Sequence, residues 1–297
     1  MSALDSGVTS YPDPGSAPGA RRQSIKRAGR STPRFLLVAE YYATLFRHFW
    51  RGSIVTIFIS PVLYLLAMGL GVGSLVDAND ATAIQSSAGL GTAGLGSSYL
   101  HYVAPGLMAA AAMQNAVSGS MYPVLASVKW LRTAHGVVAS PIRPVDLAFG
   151  LQAWLGTQIF GAAVVFAAII AVAGAVSSPW VIAAPFAAAL GGIAYSALLA
   201  AWAIGRDNDH SFAFIFRLGV LPSFLMSGTF FPISQLPAVL EFLAVISPLW
   251  HSVELVRGFS TGSFEATDAL GHLAVLFAYV GVGLALGRSE YTKRLNS

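Results

Sequence analysis

Three ionisable residues in the C-terminal third of the chain have a spacing that would allow polar chemistry in an apolar setting. His251, Glu254 and Arg257 recur every third residue, so a helix would carry them on one face. A carboxylate and a guanidinium at this spacing can neutralise each other where an isolated charge would be costly. The pattern favours a structural pair, with substrate contact as the alternative. Glu241 lies alone in an apolar stretch nearby, either at a membrane interface or as a polar contact on a pathway.

The remaining side chains give no support for an enzyme centre or a metal site. The chain has no cysteine, which excludes thiolate catalysis and cysteine-ligated metals. Its six histidines are scattered, and no two have the four-residue spacing that places a pair of imidazoles on one helix face. The GxxxxGK[ST] loop that holds nucleotide phosphates is absent from the sequence. We therefore expect no catalytic residue, no metal and no cofactor on this chain.

The composition predicts that these residues are held by membrane helices. Hydrophobic residues make up 55% of the chain and charged residues only 10%, far below the share of about 25% that is usual in soluble proteins. Apolar stretches of about 20 residues predict an all-α polytopic membrane protein. We predict six transmembrane helices: Ile54–Val76, Leu100–Ala126, Leu147–Ala173, Val181–Ile204, Phe212–Phe231 and Ala269–Gly287.

The distribution of positive charge predicts the orientation of these spans. With the N-terminus in the cytoplasm, all of the 17 basic residues except Arg217 and Arg257 lie on the cytoplasmic side. Both termini are then cytoplasmic. Residues 1–33 read as a disordered basic cytoplasmic tail without the apolar core of a signal peptide. Attraction to anionic lipid is favoured for this tail over binding of nucleic acid.

The segment 224–258 is apolar but is broken by Pro232, Pro237 and Pro248. Its longest apolar run is too short to cross a bilayer as one helix, so we predict a re-entrant helical pair between spans five and six on the outer face. Irregular backbone at membrane depth is tolerated where protein or a water-filled cavity satisfies its polar groups, which points to a transport pathway. Candidate pathway residues are Gln114, Asn115, Phe230 and Phe231. The two amides, together with Gln152 and Gln158, could instead bond between helices, and this interpretation is favoured.

Two cytoplasmic segments have the pattern of contact helices. In residues 34–51 apolar side chains recur at helical spacing, and polar side chains fall on the opposite face of the helix. This pattern predicts an N-terminal amphipathic interface helix, which is either an anchor for span one or an elbow that packs against a partner. The loop 127–146 (SVKWLRTAHGVVASPIRPVD) predicts a short helix around residues 131–138, as either a solvated connector or a docking helix. Its candidate contact residues are Lys129, Trp130, Leu131, Arg132, His135, Pro141 and Arg143.

Four ordered stretches resemble the ABC-2 family of ABC transporter permeases, with the nodulation-factor and daunorubicin-type export permeases as the most similar members. They are YVAPGLMAAAAM at 102–113, ASPIRPVDLAFG at 139–150, FLMSGTFFPISQLP at 224–237 and PLWHSVELVRGF at 248–259. The resemblance covers residues 34–297, which would form one ABC-2 type transmembrane domain. It departs from the family pattern at Ser140 and Trp250, where threonine is more usual.

The resemblance implies a permease subunit that is not itself an enzyme. Its partners would be two copies of a cytoplasmic ABC ATPase, a second copy of this chain or a close homologue, and membrane lipid, but no nucleic acid. ATP and magnesium would be held by the ATPase. By position, loop 127–146 would be the coupling helix. The re-entrant pair would be an outer gate braced by Glu241, His251, Glu254 and Arg257.

The expected function is therefore export of an amphiphilic drug, lipid or glycolipid-like molecule across the inner membrane of a bacterial cell. An ion-coupled secondary transporter is the alternative. That class usually carries carboxylates or histidines well inside the bilayer, whereas the predicted spans hold no Asp or Glu at depth and His272 lies near the end of the last one.

Overall fold

The computed structural model describes residues 33–47, 59, 63, 67, 98–263 and 265–296. The predicted first span and all of the basic tail except Pro33 lie outside this set, apart from three isolated positions of the span. Within the described ranges all regular structure is helical, which confirms the all-α class there. In chain order the helices are α1 (34–47), α2 (Ser98–Ser120), α3 (Tyr122–Lys129), α4 (Thr133–Val138), α5 (Pro144–Val172), α6 (Ala184–Ile204), α7 (Phe212–Met226), α8 (Ala238–Ile246), α9 (Pro248–Thr261) and α10 (Ala266–Leu295).

Three of these helices are long and apolar enough to cross a membrane. They are α5, α6 with the short 3₁₀ turn that precedes it, and α10. In that order they coincide with predicted spans three, four and six. Each begins with a proline or an acidic residue in its first turn, positions that suit the free N–H groups and the positive end of a helix. The last helix extends from Ala266 to Leu295, eight residues beyond the predicted end of the span.

Helix α6 forms the centre of the bundle. It packs against α2, α5, α9 and α10, and most of its residues are buried. Its alanines and glycines allow these neighbours to approach closely, the usual way in which membrane helices gain packing energy. An added Cβ at Gly192 would lie 3.0 Å from the carbonyl oxygen of Ala112 on α2. An added Cβ at Gly283 of α10 would lie 2.6 Å from the Cβ of Ala197 on α6.

This close approach gives a matched pair of glycine substitutions on α10. We expect Gly283→Ala to lower the free energy of unfolding by about 1–3 kcal/mol, because α6 and α10 must move apart. Gly281 has no neighbouring atom within 4 Å of an added Cβ, so Gly281→Ala should leave stability unchanged or raise it by up to about 1 kcal/mol through helix propensity. Thermal unfolding in detergent measures both variants. Equal melting temperatures for the two would contradict this packing.

Helix α7 is shorter than predicted. The fifth span was expected to reach Phe231, but the helix ends at Met226 after a π-helical stretch from Phe216 to Val220. The chain then turns at Gly228, whose φ of +77° is a left-handed conformation that favours glycine. The hydroxyls of Ser227 and Thr229, both buried, lie 2.7 Å apart within this turn. A buried polar turn therefore replaces the last part of the predicted span.

Helices α8 and α9 form a pair bent by 79° at Ser247 and Pro248. Proline cannot donate to the preceding helical turn, so a helix breaks there. The hydroxyl of Tyr279 donates to the carbonyl oxygen of Ile246 at 2.6 Å, and the Tyr195 hydroxyl lies 3.0 Å from that of Ser247. The bend is thus held from α6 and α10. Its geometry suits either a broken span or the predicted re-entrant pair.

Helix α1 packs along the start of α5. Val38 is buried, and an added Cβ at Gly150 would collide with it. The rings of Phe46 and Trp154 make an edge-to-face contact at 5.5 Å. Several apolar residues of α1 are exposed, among them Leu37 and Leu45. The described part of the predicted interface helix is therefore attached to the bundle and leaves some of its apolar side chains uncovered.

Candidate functional site

The loop between α3 and α5 forms an exposed surface on a buried base. All seven residues predicted for it are exposed; we call them together the loop surface: Lys129, Trp130, Leu131, Arg132, His135, Pro141 and Arg143. Its short helix α4 begins at Thr133, two residues later than predicted. Trp130 and Leu131 are 62% and 70% exposed, the apolar tip of the loop.

Local backbone bonds and packing fix the shape of this tip. The backbone N–H groups of Trp130 and Leu131 both donate to the carbonyl oxygen of Ala126, which closes the end of α3. Beneath the tip, Val128 of α3 and Ala134 of α4 are buried in the core. At the far end of the loop the Asp146 carboxylate accepts the Arg143 backbone N–H at 3.2 Å and caps α5. The tip is therefore presented by a rigid support.

Arg132 has the only left-handed backbone conformation at a non-glycine residue in the described ranges, with φ of 51°. We expect Arg132→Gly to raise the free energy of unfolding by about 1 kcal/mol, because glycine adopts this conformation without a Cβ clash. Arg143 is also exposed but has φ of −83°, so Arg143→Gly serves as the control and should be neutral or destabilising. Thermal unfolding compares the two. Destabilisation by both would contradict strain at Arg132.

A second polar site surrounds Arg257 on α9. This residue is 9% exposed, and its Nη1 lies 2.8 Å from Oε1 of Glu254. Its Nη2 donates to the carbonyl oxygen of Gly228 at 2.6 Å, and its guanidinium lies 4.0 Å from the ring centroid of Tyr102 on α2. The Tyr102 hydroxyl also donates to the Gly228 carbonyl oxygen, at 3.0 Å. We call these four residues the Arg257 cluster; it joins α2, α9 and the turn after α7.

His251 lies in a different contact from the one its spacing predicts. Its Nδ1 is 2.7 Å from Nδ1 of His272 on α10, so one ring must carry the proton that the other accepts. The Trp250 ring packs edge-on against both imidazoles. Among the described contacts no hydrogen bond or ion pair joins Glu241 to the Arg257 cluster. The predicted brace is thus two separate contacts, with Glu241 in neither.

A cavity of about 360 Å³ opens beside these two contacts. Its polar walls come from the Arg257 cluster and from the start of α10, and its apolar walls from the chain after the Gly228 turn and from α9. The lining includes Glu254, Arg257, Asp268, His272, Ile233 and Phe259. Within the described ranges no group of three metal-binding side chains is present. The cavity therefore suits contact with a molecule that has both polar and apolar parts.

The four candidate pathway residues do not gather at this cavity, since none is part of its lining. Asn115 is exposed and Gln114 is partly buried on α2. Phe230 packs edge-on against Phe224 at 5.1 Å, and Phe231 is partly buried. One amide of the predicted set does bond between helices: Gln152 of α5 donates to the Ser196 carbonyl oxygen and accepts from the Ser196 hydroxyl on α6.

One sequence pattern needs the structure for its interpretation. Residues 258–262 read GFSTG, which matches the GxSxG pattern of serine hydrolases. Ser260 is fully buried within α9, however, and its hydroxyl donates to the carbonyl oxygen of Val256 at 2.7 Å. A nucleophile elbow requires an exposed serine between a strand and a helix. Ser260 is therefore a structural residue of the helix.

Residues that are far apart in sequence carry much of this site. Tyr102, Gly228 and His272 were not assigned to it from the sequence. The position of His272 near the start of the last predicted span is the one signal that could have suggested its pairing with His251.

The arrangement has an exposed loop surface at one end of the bundle and a polar, partly apolar cavity at the other. Residues 41–259 match a protein family described as ABC-2 type transporter, a range that includes the whole loop surface and the whole Arg257 cluster. The chain belongs to this family. Its curated relatives include Nodulation protein J of Rhizobium leguminosarum bv. viciae, 27% identical over 82% of this chain and 88% of that protein. Nodulation protein J of R. leguminosarum bv. trifolii is 29% identical over 79% and 84%, and that of Rhizobium meliloti (strain 1021) is 26% identical over 82% and 87%.

Membership of the ABC-2 family confirms the resemblance seen in the sequence. The chain is a multi-pass membrane permease of the ABC transporter type, a transport subunit rather than an enzyme, and the family implies partnership with an ABC ATPase. The cavity extends beyond the matched residues, since residues between 263 and 272, Asp268 and His272 among them, also line it.

Proposed function

We propose that this permease is the membrane subunit of an ATP-driven exporter that moves an amphiphile from the cytoplasmic side outward. The observation that carries the proposal is the apolar tip of the loop surface. Trp130 and Leu131 extend from a buried base that fixes their position, and a partner that covered them would gain about 1.5–3 kcal/mol for each side chain. The missing phosphate-binding loop supports ATP and magnesium binding by that partner rather than by this chain.

The orientation that we propose follows from the charges around the tip. Lys129, Arg132 and Arg143 all lie on the loop surface, and basic loops remain in the cytoplasm. We propose six spans in the bacterial inner membrane with both termini cytoplasmic. The functional unit would contain two ATPase copies and two permeases, the second a copy of this chain or a close homologue.

The proposal of an amphiphilic substrate is supported by the cavity near the N-terminal end of α10. Ile233 and Phe259 provide apolar contacts beside the carboxylates of Glu254 and Asp268. A drug, lipid or glycolipid-like molecule has both kinds of surface. In the proposed cycle, closure of the ATPases moves the loop surface, and the spans change their arrangement so that the Arg257 cluster opens as an outer gate.

The test is transport in proteoliposomes that contain the permease with an ABC ATPase that co-purifies from the same cells. A fluorescent phospholipid, a glycolipid and an amphiphilic dye serve as separate probes. We expect at least one to move at a rate that requires ATP hydrolysis and falls to background with a non-hydrolysable analogue. Transport by the isolated chain, driven by a pH gradient without ATP, would instead establish the ion-coupled alternative.

A further inference from the structure

Three segments that are distant in sequence meet at one carboxylate oxygen of Asp207. This residue lies in the connector between α6 and α7. Its Oδ1 is 2.7 Å from Nζ of Lys129 and 2.6 Å from Nη2 of Arg294. Lys129 is the last residue of α3, directly before the apolar tip of the loop surface, and Arg294 lies in the last turn of α10. A single carboxylate therefore joins the loop surface to the C-terminal end of the last helix.

The exposure of this contact argues against a role in overall stability. The Asp207 side chain is 69% exposed, and exposed ion pairs typically contribute little to overall stability. The two cations hold the pKa of Asp207 at about 2, so the carboxylate stays ionised at neutral pH. Without it, Lys129 and Arg294 would be two neighbouring like charges, which repel each other. The carboxylate thus replaces this repulsion by attraction at the point where α3 ends and the last turn of α10 lies.

Helix α10 connects this contact to the cavity at the other end of the bundle. It runs without a break or a proline from Ala266 to Leu295. His272 near its start contacts His251, and Tyr291 near its end is buried. At 1.5 Å per residue, His272 and Arg294 are about 33 Å apart along the axis. The close approach of Gly283 to α6 holds the middle of the helix.

We propose that Asp207 is a positioning residue that ties the loop surface to α10, so that movement of the loop shifts this helix and the His272 side of the cavity. The inference rests on the proposed function, because it assigns a route by which the ATPase acts on the cavity. One rigid helix with an attachment at each end provides such a route. The coupling is made by a charge that is easily removed without disturbing the core.

The first experiment measures the tie in the isolated permease. Since the chain has no cysteine, spin labels can be attached at Ser140→Cys and Asn296→Cys, both exposed, and their separation measured by electron paramagnetic resonance in detergent. We expect Asp207→Asn to broaden the distance distribution and shift it to longer values. The reversed triple variant Lys129→Glu, Asp207→Lys, Arg294→Glu should restore a narrow distribution. An unchanged distribution in Asp207→Asn would overturn the proposal.

The second experiment measures transport per ATP hydrolysed in the complex. We expect Asp207→Asn to bind the ATPase within about twofold of the native affinity but to transport about tenfold less per ATP, and Asp207→Glu to retain most of the native ratio. Asp209→Asn is the matched control, since Asp209 lies in the same connector and forms no ion pair in the described structure. Native transport per ATP in Asp207→Asn, or loss of ATPase binding equal to the loss of transport, would overturn the proposal.

The two experiments separate this inference from the proposed function. If the native complex shows no ATP-driven transport, the proposed function fails, while the label distances in the isolated chain still decide whether Asp207 holds the loop to α10.

Discussion

Replacement of Arg257 by methionine should lower the free energy of unfolding by about 3 kcal/mol. The substitution removes the partner of Glu254, whose side chain is only partly exposed, and the charged one of the two donors to the buried Gly228 carbonyl oxygen. It also removes the cation above the Tyr102 ring, which links α9 to α2. Thermal unfolding in detergent micelles should show a clear fall in the melting temperature.

Arg217→Met is the control for this prediction. Arg217 lies on α7 and is exposed, so its loss should change the free energy of unfolding by no more than about 0.5 kcal/mol. Equal melting temperatures for the two arginine variants would show that the Arg257 cluster does not stabilise the bundle. Glu254→Gln should lie between them, because the amide keeps a hydrogen-bond acceptor for Arg257 but loses the charge.

The double variant Trp130→Ser, Leu131→Ser should weaken binding of the ATPase by about 30-fold or more. A tryptophan anchor at the centre of an interface often contributes about 2 kcal/mol or more to binding, and Leu131 extends the apolar contact beside it. Because both side chains are exposed, the melting temperature of the isolated permease should not change. Titration of the purified ATPase against the permease, with ATP turnover as a second readout, measures the effect.

Trp180→Ser is the matched control for the tip. Trp180 is 59% exposed, nearly the same as Trp130, but it lies before α6 at the end of the bundle opposite the loop surface. Its replacement should leave both ATPase binding and turnover unchanged. Full binding by the Trp130 and Leu131 double variant would exclude the tip as the docking contact.

Local patterns in the sequence predicted much of the helical framework. Long apolar stretches predicted α5, α6 and α10, and Pro248 predicted the break between α8 and α9. Both signals are local, because the length of an apolar stretch and the missing N–H group of a proline can be read within one segment. The exposed loop between α3 and α5 was predicted for the same reason. The ion pair of Glu254 with Arg257 also follows from spacing, since residues three apart meet on any helix.

Apart from the bonding of Gln152 between helices, contacts between segments were not predicted. The carbonyl oxygen of Gly228 has no sequence signal as an acceptor, yet it is bound by Tyr102, 126 residues earlier, and by Arg257. His251 shares a helix face with Glu254 in the sequence, but packing of α10 gives it His272 instead. The early end of α7 depends on the left-handed backbone of Gly228, which composition alone does not reveal. Such contacts depend on which helices become neighbours.

The bend at Ser247 has a consequence for the electrical tightness of the membrane. A break in a membrane helix exposes carbonyl groups that normally recruit water, and a file of water can let ions leak through. Here the Ile246 carbonyl oxygen is bound by the Tyr279 hydroxyl, and the Ser247 hydroxyl has Tyr195 as a partner. Protein hydroxyls therefore take the place of solvent at the bend. These two groups at the bend therefore need no water, which is a condition for an electrically tight break in a membrane element.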